Sequence, residues 1–339
     1  MMQGPKLKVV IAGAGSIGCY VGGMLAKGGA DVHFFARRRI HDDISKNGLH
    51  LTDWTGGNFR VDVSQFNSSL SADVFNGADL ILICVKSKDT HHMTHIIKDS
   101  GNDKAVIFSF QNGVGNSQKI KQILNTQTVL PVMVPFNVVY QSGGHFHCGT
   151  EGSLYCQQDP AALALQKLAK NAQLNFELKD NMTSILWGKL LLNLNNPINA
   201  LSDLPLKQQL ETTGFRRIYK KSLQEGLAVL KAANITPGKV AAVPIYLIPF
   251  VLSLPDFMFK RVAQKMLAMD PKARSSMWED LQNNRPVEVD YINGEIVKLG
   301  KKFNISTSLN ERLIELVKKA QDKGHGSPRL SATNIMHDN

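Results

Sequence analysis

One segment of the chain, residues 181–200, combines an apolar helical pattern with three polar side chains that share a narrow face. With about 100° of rotation per residue, Asn193 lies about 40° from Lys189 and Asn196 about 20° from it on the other side. Most other positions are apolar, and burying an ammonium and two amides there without partners would cost several kcal/mol. These groups therefore either satisfy one another, as in a polar patch at a domain interface, or face a polar ligand in a wet cleft.

Pro197 lies inside the same segment. Proline has no N–H to donate to the carbonyl of Asn193, four residues earlier, so a helix that runs through it bends. We therefore expect a helix over residues 182–200 with a bend at Pro197. The bend either directs the asparagines at a substrate or only lets the helix fit its neighbours.

Length and charge describe the broad class of the protein. A chain of 339 residues is long enough for about two domains, and its 43% hydrophobic and 20% charged residues are ordinary for a globular protein. The net charge is +11, but the excess is scattered in short groups. No long basic run, zinc-finger spacing or aromatic-basic RNA motif is present, so we do not expect a nucleic-acid partner.

The cysteines and the apolar segments indicate the compartment. Cys19, Cys84, Cys148 and Cys156 form no Cys-x-x-Cys pair, which favours reduced, buried thiols in a cytoplasmic protein. The chain begins with a strand pattern and has no signal-peptide core. The apolar residues 240–259 are interrupted by three prolines, so we expect no membrane span. This segment is either core of a helical domain or a dimer surface.

A nucleotide-binding motif opens the chain. Residues 8–12 form an apolar, β-branched run, the glycine motif of residues 13–18 follows, an amphipathic helix runs to about residue 27, and a second strand covers residues 31–35. This order within about 30 residues is specific for a dinucleotide-binding unit. Gly13 allows the tight turn, Gly15 admits a pyrophosphate and Gly18 lets helix and strand pack closely. Ser16 and Ile17 open the helix whose free N–H groups would receive the phosphates.

The end of the second strand distinguishes NADP from NAD. An NAD site needs an acidic residue there for the ribose 2′-hydroxyl, whereas this chain has three arginines beginning at Arg37 and no carboxylate before Asp42. A guanidinium is suited to a 2′-phosphate. We therefore predict NADP(H), with Arg37 as the contact; a solvated basic loop is the alternative.

Two further candidates follow predicted central strands. Lys86 comes after the strand of residues 79–85, and Asn112 comes after the strand of residues 105–110. Ligands of open α/β sheets bind outside the carboxyl ends of the strands, so both side chains are candidate contacts. A surface lysine and a turn asparagine are the alternatives.

The rest of the first half contains weaker signals. We expect a hairpin over residues 48–66, a helix over residues 90–98, antiparallel strands in residues 128–140 and 145–155, and a helix over residues 161–171. His91 and His95 are four residues apart, and His145 and His147 alternate on one strand face. Neither pair has a completing glutamate motif or lies at a predicted strand end, so we predict no metal site.

The periodicity changes after Asp180, where strand signals give way to helical spacing. We expect helices over residues 214–233, 274–283, 289–303 and 308–319, and a proline-interrupted helical stretch over residues 240–269. The predicted domains are an NADP-binding domain at 1–179, a helical substrate and catalytic domain at 180–322, and a flexible tail at 323–339.

Six segments occur in one order: GAGSIG, CVKSKDT, FQNGVG, WGKLLLNLNNPINAL, SSMWEDL and RPVEVDYINGEIVKLG. This ordered set, across nearly the whole chain, resembles the ketopantoate reductase (2-dehydropantoate 2-reductase) family. The resemblance implies an α/β Rossmann-type N-terminal domain, an all-α C-terminal domain of the 6-phosphogluconate dehydrogenase C-terminal-like type, and a site in the cleft between them. It also implies NADPH-dependent reduction of 2-dehydropantoate to pantoate, a step towards pantothenate and coenzyme A.

The resemblance assigns roles to residues of the helical half. The family's catalytic lysine falls on Lys189 and its active-site glutamate on Glu288, while its substrate-binding asparagine and serine fall on Asn193 and Ser276. Negative charge grows on the carbonyl oxygen during reduction, and a nearby ammonium stabilises that charge and supplies the proton. Lys189 is therefore the expected general acid.

The resemblance also assigns roles in the first half of the chain. The family's cofactor-side lysine falls on Lys86, and its strand-end asparagine, which cofactor and substrate would share, falls on Asn112.

One position departs from the family pattern. Many members also have a second asparagine eight residues after the catalytic lysine, immediately before a proline. Here Asn196 is seven residues after Lys189, and Pro197 takes the eighth place.

This shift leaves Asn195, Asn196 and Asn199 as alternatives for the last substrate contact. It also keeps open a reductase of another 2-oxo acid or ketone, and, less favoured, an NADP-binding regulator without turnover. The polar stripe on residues 189–196 argues against the regulator, which would not need it. We expect a small-molecule 2-oxo acid as ligand and NADP(H) as cofactor, and leave a homodimer open.

Overall fold

The structure, a computed structural model, describes residues 6–240, 243–264, 267 and 270–337, and the chain divides into two units after Met182. The strands of the first unit are β1 (Lys8–Ala12), β2 (Asp31–Phe35), β3 (Leu49–Asp53), β4 (Asn58–Val61), β5 (Phe66–Ser69), β6 (Leu80–Ile83), β7 (Val106–Ser109), β8 (Val129–Met133), β9 (Val138–Ser142), β10 (His145–Cys148), β11 (Leu154–Gln157) and β12 (Phe176–Lys179). Its α-helices are α1 (Ser16–Lys27), α2 (Arg38–Asn47), α3 (Thr90–Asp99), α4 (Asn116–Ile123) and α5 (Ala162–Asn171).

The main sheet has eight strands in the order β12-β11-β8-β7-β6-β1-β2-β5. From β5 to β8 all neighbouring strands are parallel, and central residues such as Ile11, Leu82 and Ile107 are fully buried. Parallel sheets are covered on both faces, which explains why these strands are continuous apolar runs. Because the strand order reverses at β1, the ligand-binding end of this sheet is expected at the carboxyl ends of β1, β2 and β6.

A smaller sheet with the order β4-β3-β10-β9 covers α1. The predicted hairpin is confirmed by the antiparallel pair β3–β4. The contact with α1 is close, since a Cβ on Gly23 would come within 2.9 Å of the side chains of Leu49 and Leu51. The small sheet therefore holds α1 against the main sheet from its outer side.

The predicted antiparallel pairing of residues 128–155 is only partly right. It is confirmed for β9–β10 and β8–β11, but β8 is parallel to β7, and β10 is parallel to β3. Side-chain alternation determines which face of a strand is buried, whereas its direction depends on which strand it joins. That partner lies far away in sequence for both exceptions.

The structure also contains α2, α4, β5 and β12, which the sequence pattern did not predict. In α2 only Ile40 and Ile44 are buried, so the apolar signal consists of two residues among charged ones. Two of the three consecutive arginines, Arg38 and Arg39, belong to this helix rather than to a loop.

The regular elements in the described residues of the second unit are all helices, as predicted. Its α-helices are α6 (Met182–Asn193), α7 (Asn196–Ser202), α8 (Leu206–Glu211), α9 (Thr213–Ala232), α10 (Ile248–Val251), α11 (Asp256–Val262), α12 (Ser276–Gln282), α13 (Val289–Phe303), α14 (Ser308–Lys323) and α15 (Ala332–Met336). The long helices α9, α13 and α14 pack on one another around Leu223, Ile296 and Leu313, which are fully buried. The proline-interrupted stretch forms a 3₁₀ turn, α10 and α11; residues 241–242, 265–266 and 268–269 of it lie outside the described residues.

The predicted continuous helix over residues 182–200 is wrong. The helix α6 ends at Asn193, and α7 begins at Asn196. Between them, the N–H of Asn195 donates to the carbonyl of Leu192, three residues earlier, at 3.3 Å. Pro197 therefore lies in the first turn of a new helix, where no N–H is needed, rather than inside a bent one. The break, at residues 194 and 195, lies directly before the expected bend at Pro197.

The predicted flexible tail is also wrong for its described residues. The helix α15 contacts α9, and Ile335 is fully buried. The N–H of Leu330 donates to the carbonyl of Leu201 at 2.8 Å, and Arg329 Nε is 2.9 Å from Asp203 Oδ2. Few apolar residues mark this segment in the sequence, but those present are used to attach it.

The helices and the cysteines bear on the predictions about membrane spans and thiols. Over the part of the chain that the structure describes, no helix has both the length and the apolar character needed to cross a membrane. The cysteines are free thiols; Cys19, Cys148 and Cys156 are buried as predicted, whereas Cys84 is partly exposed.

Candidate active site

The glycine motif between β1 and α1 leaves no room for a side chain at two positions. Gly13 has φ +108°, and a Cβ on it would come within 2.6 Å of Val85 Cγ1. A Cβ on Gly18 would come within 2.3 Å of the Gly13 carbonyl oxygen and 3.0 Å of Ile11 Cγ2. Gly13 therefore makes the tight turn, and Gly18 permits the close packing of α1 on the strand.

Gly15 has a different environment. Apart from its chain neighbours, no atom of the described residues lies within 4 Å of a Cβ built on it. Gly15 is the N-cap of α1 and provides no side-chain cap for the N–H groups of the first turn, which begins with Ser16 and Ile17. A helix start without a cap, next to open space, fits a dinucleotide pyrophosphate.

Arg37 lies near this motif. The N–H groups of Gly13 and Ala14 are each 3.2 Å from the carbonyl oxygen of Phe35, at the end of β2. Arg37 follows two residues later, is 88% exposed and forms a 3.3 Å ion pair with Asp89. Such an exposed pair contributes less than about 1 kcal/mol, so a phosphate can compete for the guanidinium.

Lys86 and Asn112 follow adjacent parallel strands, β6 and β7. The hydroxyl of Ser87 donates to the carbonyl of Asn112 at 3.1 Å. The side-chain amide of Asn116 donates to the same carbonyl at 2.8 Å and to the Ser87 hydroxyl at 3.0 Å. The structure therefore brings the segments that carry Lys86 and Asn112 together at the ligand end of the sheet.

Sequence reasoning missed the groups that hold these two segments. Gln111 is buried and donates through Nε2 to the carbonyl of Val85 at 3.0 Å and to the hydroxyl of Thr90 at 2.7 Å. Together with Asn116 it cross-links the loops that follow β6 and β7. The available signal was an unusual density of amides directly after an apolar strand, in the letters FQNGVGN.

Lys189 lies in the second half of α6. Solvent reaches part of the residue, but its surroundings are protein: Leu190 and Leu191 are buried, and a Cβ on Gly188 would come within 2.3 Å of the carbonyl oxygen of Gly238. Desolvation lowers the pKa of Lys189 to about 8, from a usual value of about 10.4. The ammonium is thereby a stronger acid than an exposed lysine.

Asn193 follows Lys189 by one helical turn, on the same face of α6. It is 8% exposed, and no described residue is a hydrogen-bond partner of its side-chain amide. Buried amides are normally paired, so this one indicates a place for water or a polar ligand. The side chain of Asn196 likewise has no partner among the described residues and is partly exposed.

The two other asparagines of this segment have internal partners. Asn195 and Gln209 exchange two hydrogen bonds, at 3.1 and 2.8 Å. Asn199 is fully buried, donates to the carbonyl of Leu204 at 2.8 Å and accepts from the N–H of Ser275 at 2.8 Å. Of the three alternatives that the sequence left open, Asn196 is therefore the one whose amide is available to a substrate.

Ser276 and Glu288 both lie at helix starts. Ser276 is the first residue of α12, and the side chain that caps this helix belongs to Ser275. Glu288 directly precedes α13, and its carboxylate does not cap that helix. Both side chains are partly exposed.

The candidate residues form one set in each unit. The first unit carries Gly13, Gly15, Ser16, Ile17, Gly18, Arg37, Lys86 and Asn112. The second carries Lys189, Asn193, Asn196, Ser276 and Glu288. Among the residues described, no group of three or more His, Cys, Asp or Glu side chains is arranged to hold a metal ion.

Comparison with known proteins covers both units. Residues 9–160 match the family described as "Ketopantoate reductase PanE/ApbA", and residues 181–321 match its C-terminal counterpart, "Ketopantoate reductase PanE/ApbA C terminal". A 2-dehydropantoate 2-reductase of Pyrococcus horikoshii is 27% identical over 329 residues, which cover 95% of this chain and 100% of that protein.

Solved structures give the same result for the fold. A PanE/ApbA family ketopantoate reductase from Ralstonia eutropha is 29% identical, with a TM-score of 0.80 over 94% of this chain and 99% of that one. A D-mandelate dehydrogenase solved with NADH and anilino(oxo)acetate has a TM-score of 0.77 over 94% of this chain and 99% of that one, and at 22% identity it shows the fold alone. The two matched regions and the full-length relatives show that the chain belongs to the ketopantoate reductase family of oxidoreductases.

Proposed function

We propose that this protein catalyses the NADPH-dependent reduction of 2-dehydropantoate to pantoate, in the synthesis of pantothenate and coenzyme A. Family membership supports an NAD(P)H-dependent reductase. The observation that carries the proposal is the polar face of α6, where Lys189, with its lowered pKa, is followed by Asn193, whose amide has no partner among the described residues. A non-catalytic NADP-binding regulator would have no use for this face.

Lys189 is the proposed general acid. When bound, the nicotinamide supplies a hydride to the 2-oxo carbon. Lys189 stabilises the negative charge on the carbonyl oxygen and gives it the proton that makes the hydroxyl of pantoate. Its pKa of about 8 keeps most of the amine protonated at neutral pH while making proton release easier than from an exposed lysine.

The other candidates bind and orient the substrate in this proposal. Asn193 and Asn196 can each donate to and accept from a substrate hydroxyl, because amides do both. Ser276 and Asn112 are the proposed donors to the substrate carboxylate. Glu288 is the proposed second catalytic residue, which orients Lys189 or a substrate hydroxyl.

The first experiment is the reaction itself. Purified protein, NADPH and ketopantoate are mixed, and the loss of NADPH absorbance is followed, with 2-oxo acids and ketones of other shapes assayed in parallel. The proposal expects ketopantoate to have the highest kcat/KM. A different substrate at the top of the ranking supports the alternative that the displaced Asn196 suggests, and cofactor binding without any turnover supports the regulator.

We propose NADP(H) rather than NAD(H) because of Arg37. Replacing Arg37 by aspartate is expected to raise the Kd of NADPH by about 100-fold, since a charge-assisted contact of about 1.5–3 kcal/mol is lost and a carboxylate is added. The Kd of NADH should change less than about threefold. Fluorescence titration with each cofactor measures both values.

The neighbouring arginine provides the control. Arg38 is also exposed but pairs with Asp42 at 3.9 Å, within α2, so Arg38→Asp should leave the preference for NADPH in place. Equal affinity of the unaltered protein for the two cofactors would show that Arg37 does not read the 2′-phosphate.

We also propose a homodimer that forms through α10, α11 and the 3₁₀ turn before them. Tyr246, Phe250 and Phe257 are 67, 68 and 76% exposed, which leaves about 400 Å² of aromatic surface uncovered. Each partner in a standard interface contributes about 800 Å², so these three side chains would supply about half of that area. The carboxylate of Asp256, at the start of α11, pairs with Arg216 within the chain, so the exposed aromatic side chains are what a second copy related by a two-fold axis would cover.

Sedimentation at micromolar concentration tests this dimer. Phe250→Ser combined with Phe257→Ser is expected to convert a dimer to a monomer, because the variant keeps only Tyr246 of the three exposed aromatic side chains. Leu163→Ser is the matched control, since Leu163 is 54% exposed but lies on α5 in the first unit. A monomeric parent, or a double variant that stays dimeric, contradicts this interface.

A further inference from the structure

Ser275 links two helices that carry candidate substrate residues. It is 1% exposed and is the N-cap of α12, directly before Ser276. Its hydroxyl accepts a hydrogen bond from the N–H of Trp278 at 3.2 Å and donates one to the carbonyl of Asn196 at 3.2 Å. A capping serine satisfies an N–H of its own helix; this one also holds the first residue of α7.

A second bond connects the same two helices. The N–H of Ser275 donates to Oδ1 of Asn199, in α7, at 2.8 Å. The amide group of Asn199 is itself held, because its Nδ2 donates to the carbonyl of Leu204 at 2.8 Å and is 3.4 Å from Gln209 Oε1. Backbone and side chain of Ser275 thus both bind α7.

The amide network behind this link is rigid for a physical reason. Asn199 and Gln209 are fully buried, and Gln209 exchanges two hydrogen bonds with Asn195 at 3.1 and 2.8 Å. Hydrogen bonds in a low-dielectric interior are strong, and breaking one there leaves an unpaired group at high cost. The position of α7 relative to α12 is therefore closely fixed.

We propose that Ser275 is a positioning residue, which sets the distance between the hydroxyl of Ser276 and the amide of Asn196. This inference rests on the proposed function, because it takes those two groups as substrate contacts. A displacement of about 1 Å in such contacts can weaken a reaction about 100-fold. Ser275 itself is buried and acts on the substrate only through its neighbours.

Ser275→Ala tests the proposal, because a positioning residue should affect KM and kcat to different extents. The variant is expected to raise the KM for ketopantoate about tenfold, because binding contacts remote from the reacting carbon are misplaced, and to change kcat less than about threefold. The Kd of NADPH should not change. Ser275→Thr keeps a capping hydroxyl and should restore KM to within about threefold of the parent.

Ser331→Ala is the matched control for the loss of a cap. Ser331 caps α15 by accepting from the N–H of Asn334 at 3.2 Å, in the same unit but on another helix. This variant should also lose stability, by less than Ser275→Ala because Ser331 is exposed, with no change in KM. An unchanged KM in Ser275→Ala, or an equal rise in both variants, would overturn the positioning role.

Hydrogen exchange separates failure of this inference from failure of the proposed function. If the parent reduces no 2-oxo acid, the function is wrong, and the link is judged by exchange alone. Ser275→Ala should speed exchange in residues 193–199 and 276–279 together, whereas Ser331→Ala should affect only residues 332–336. Faster exchange confined to residues 276–279 would mean that Ser275 caps its own helix and does not position α7.

Discussion

Replacing Lys189 by methionine is expected to lower kcat for ketopantoate about a thousandfold, while the Kd of NADPH changes little. A positioned general acid that also stabilises developing charge contributes about 10²–10⁴ in rate. Methionine keeps an apolar side chain that extends to Cε and removes the ammonium. Steady-state kinetics give kcat, with Lys301→Met, an exposed lysine of α13, as the control. Full activity in Lys189→Met would exclude it as the acid.

The pH dependence of the unaltered protein follows from the same residue. Because the pKa of Lys189 is about 8, the protonated fraction, and with it kcat, should fall by half near that pH and about tenfold for each further unit. The residual activity of Lys189→Met should lack this descending limb. An unaltered protein whose kcat stays level to pH 10 would contradict the assignment.

As the pH rises above about 8, the stability of the protein should increase while its activity falls. The folded-state pKa of Lys189 is lowered from 10.5 to about 8, so between these values the unfolded chain binds more protons than the folded one. Stability therefore rises with pH across this window, and below it the folded protein holds a partly desolvated ammonium. Lys189→Met should be more stable at pH 7 by about 1–2 kcal/mol, after allowance for solvent access. Thermal unfolding at pH 7 measures this gain.

The structure of the first unit could be predicted where residues close together in the sequence determine it. The turn at residues 13–18 follows from Gly13 and Gly18, where a side chain would clash, as the contact of Gly18 with the Gly13 carbonyl shows. Pairing directions were less accessible. The strand β8 joins β7 in parallel because of a partner more than 20 residues away, and alternation within a strand carries no information about that choice.

The second unit shows a different limit of prediction from the sequence. A rotation of about 100° per residue continues unchanged through residues 194 and 195, so periodicity alone joined α6 to α7. Two tertiary contacts lie at this break: the hydroxyl of Tyr219 donates to the carbonyl of Leu192 at 3.3 Å, and the amide of Asn195 is paired with Gln209. The stripe of Lys189 and Asn193 was visible because both lie before the break.

The amides that support the candidate site were not visible for a related reason. Gln111, Asn116, Asn199 and Gln209 act through partners distant in sequence, and an amide in a loop or short helix looks the same whether it binds a substrate or a backbone carbonyl. Only the structure separates Asn196, whose amide is available, from Asn195 and Asn199, whose amides are used internally.

Replacing Gly15 by alanine is expected to raise the Kd of NADPH about 100-fold and to leave the fold intact. The backbone at Gly15, with φ −85° and ψ −170°, suits alanine, and no described residue beyond its chain neighbours is within 4 Å of the added methyl. The free energy of unfolding should therefore change by less than about 1 kcal/mol. A methyl group in the space of a pyrophosphate would displace charged hydrogen bonds of about 1.5–3 kcal/mol each. Fluorescence titration and thermal unfolding measure the two effects separately.

Gly18→Ala is the matched comparison, because the same methyl group there meets protein. Its Cβ would lie 2.3 Å from the Gly13 carbonyl oxygen, so α1 must move, at a cost of about 1–3 kcal/mol. Cofactor binding should then weaken together with stability, whereas in Gly15→Ala it weakens alone. An unchanged Kd in Gly15→Ala would mean that no phosphate approaches this turn, and the nucleotide site would have to lie elsewhere. Two methyl groups, placed three residues apart, thus distinguish the space that the fold needs from the space that the cofactor needs.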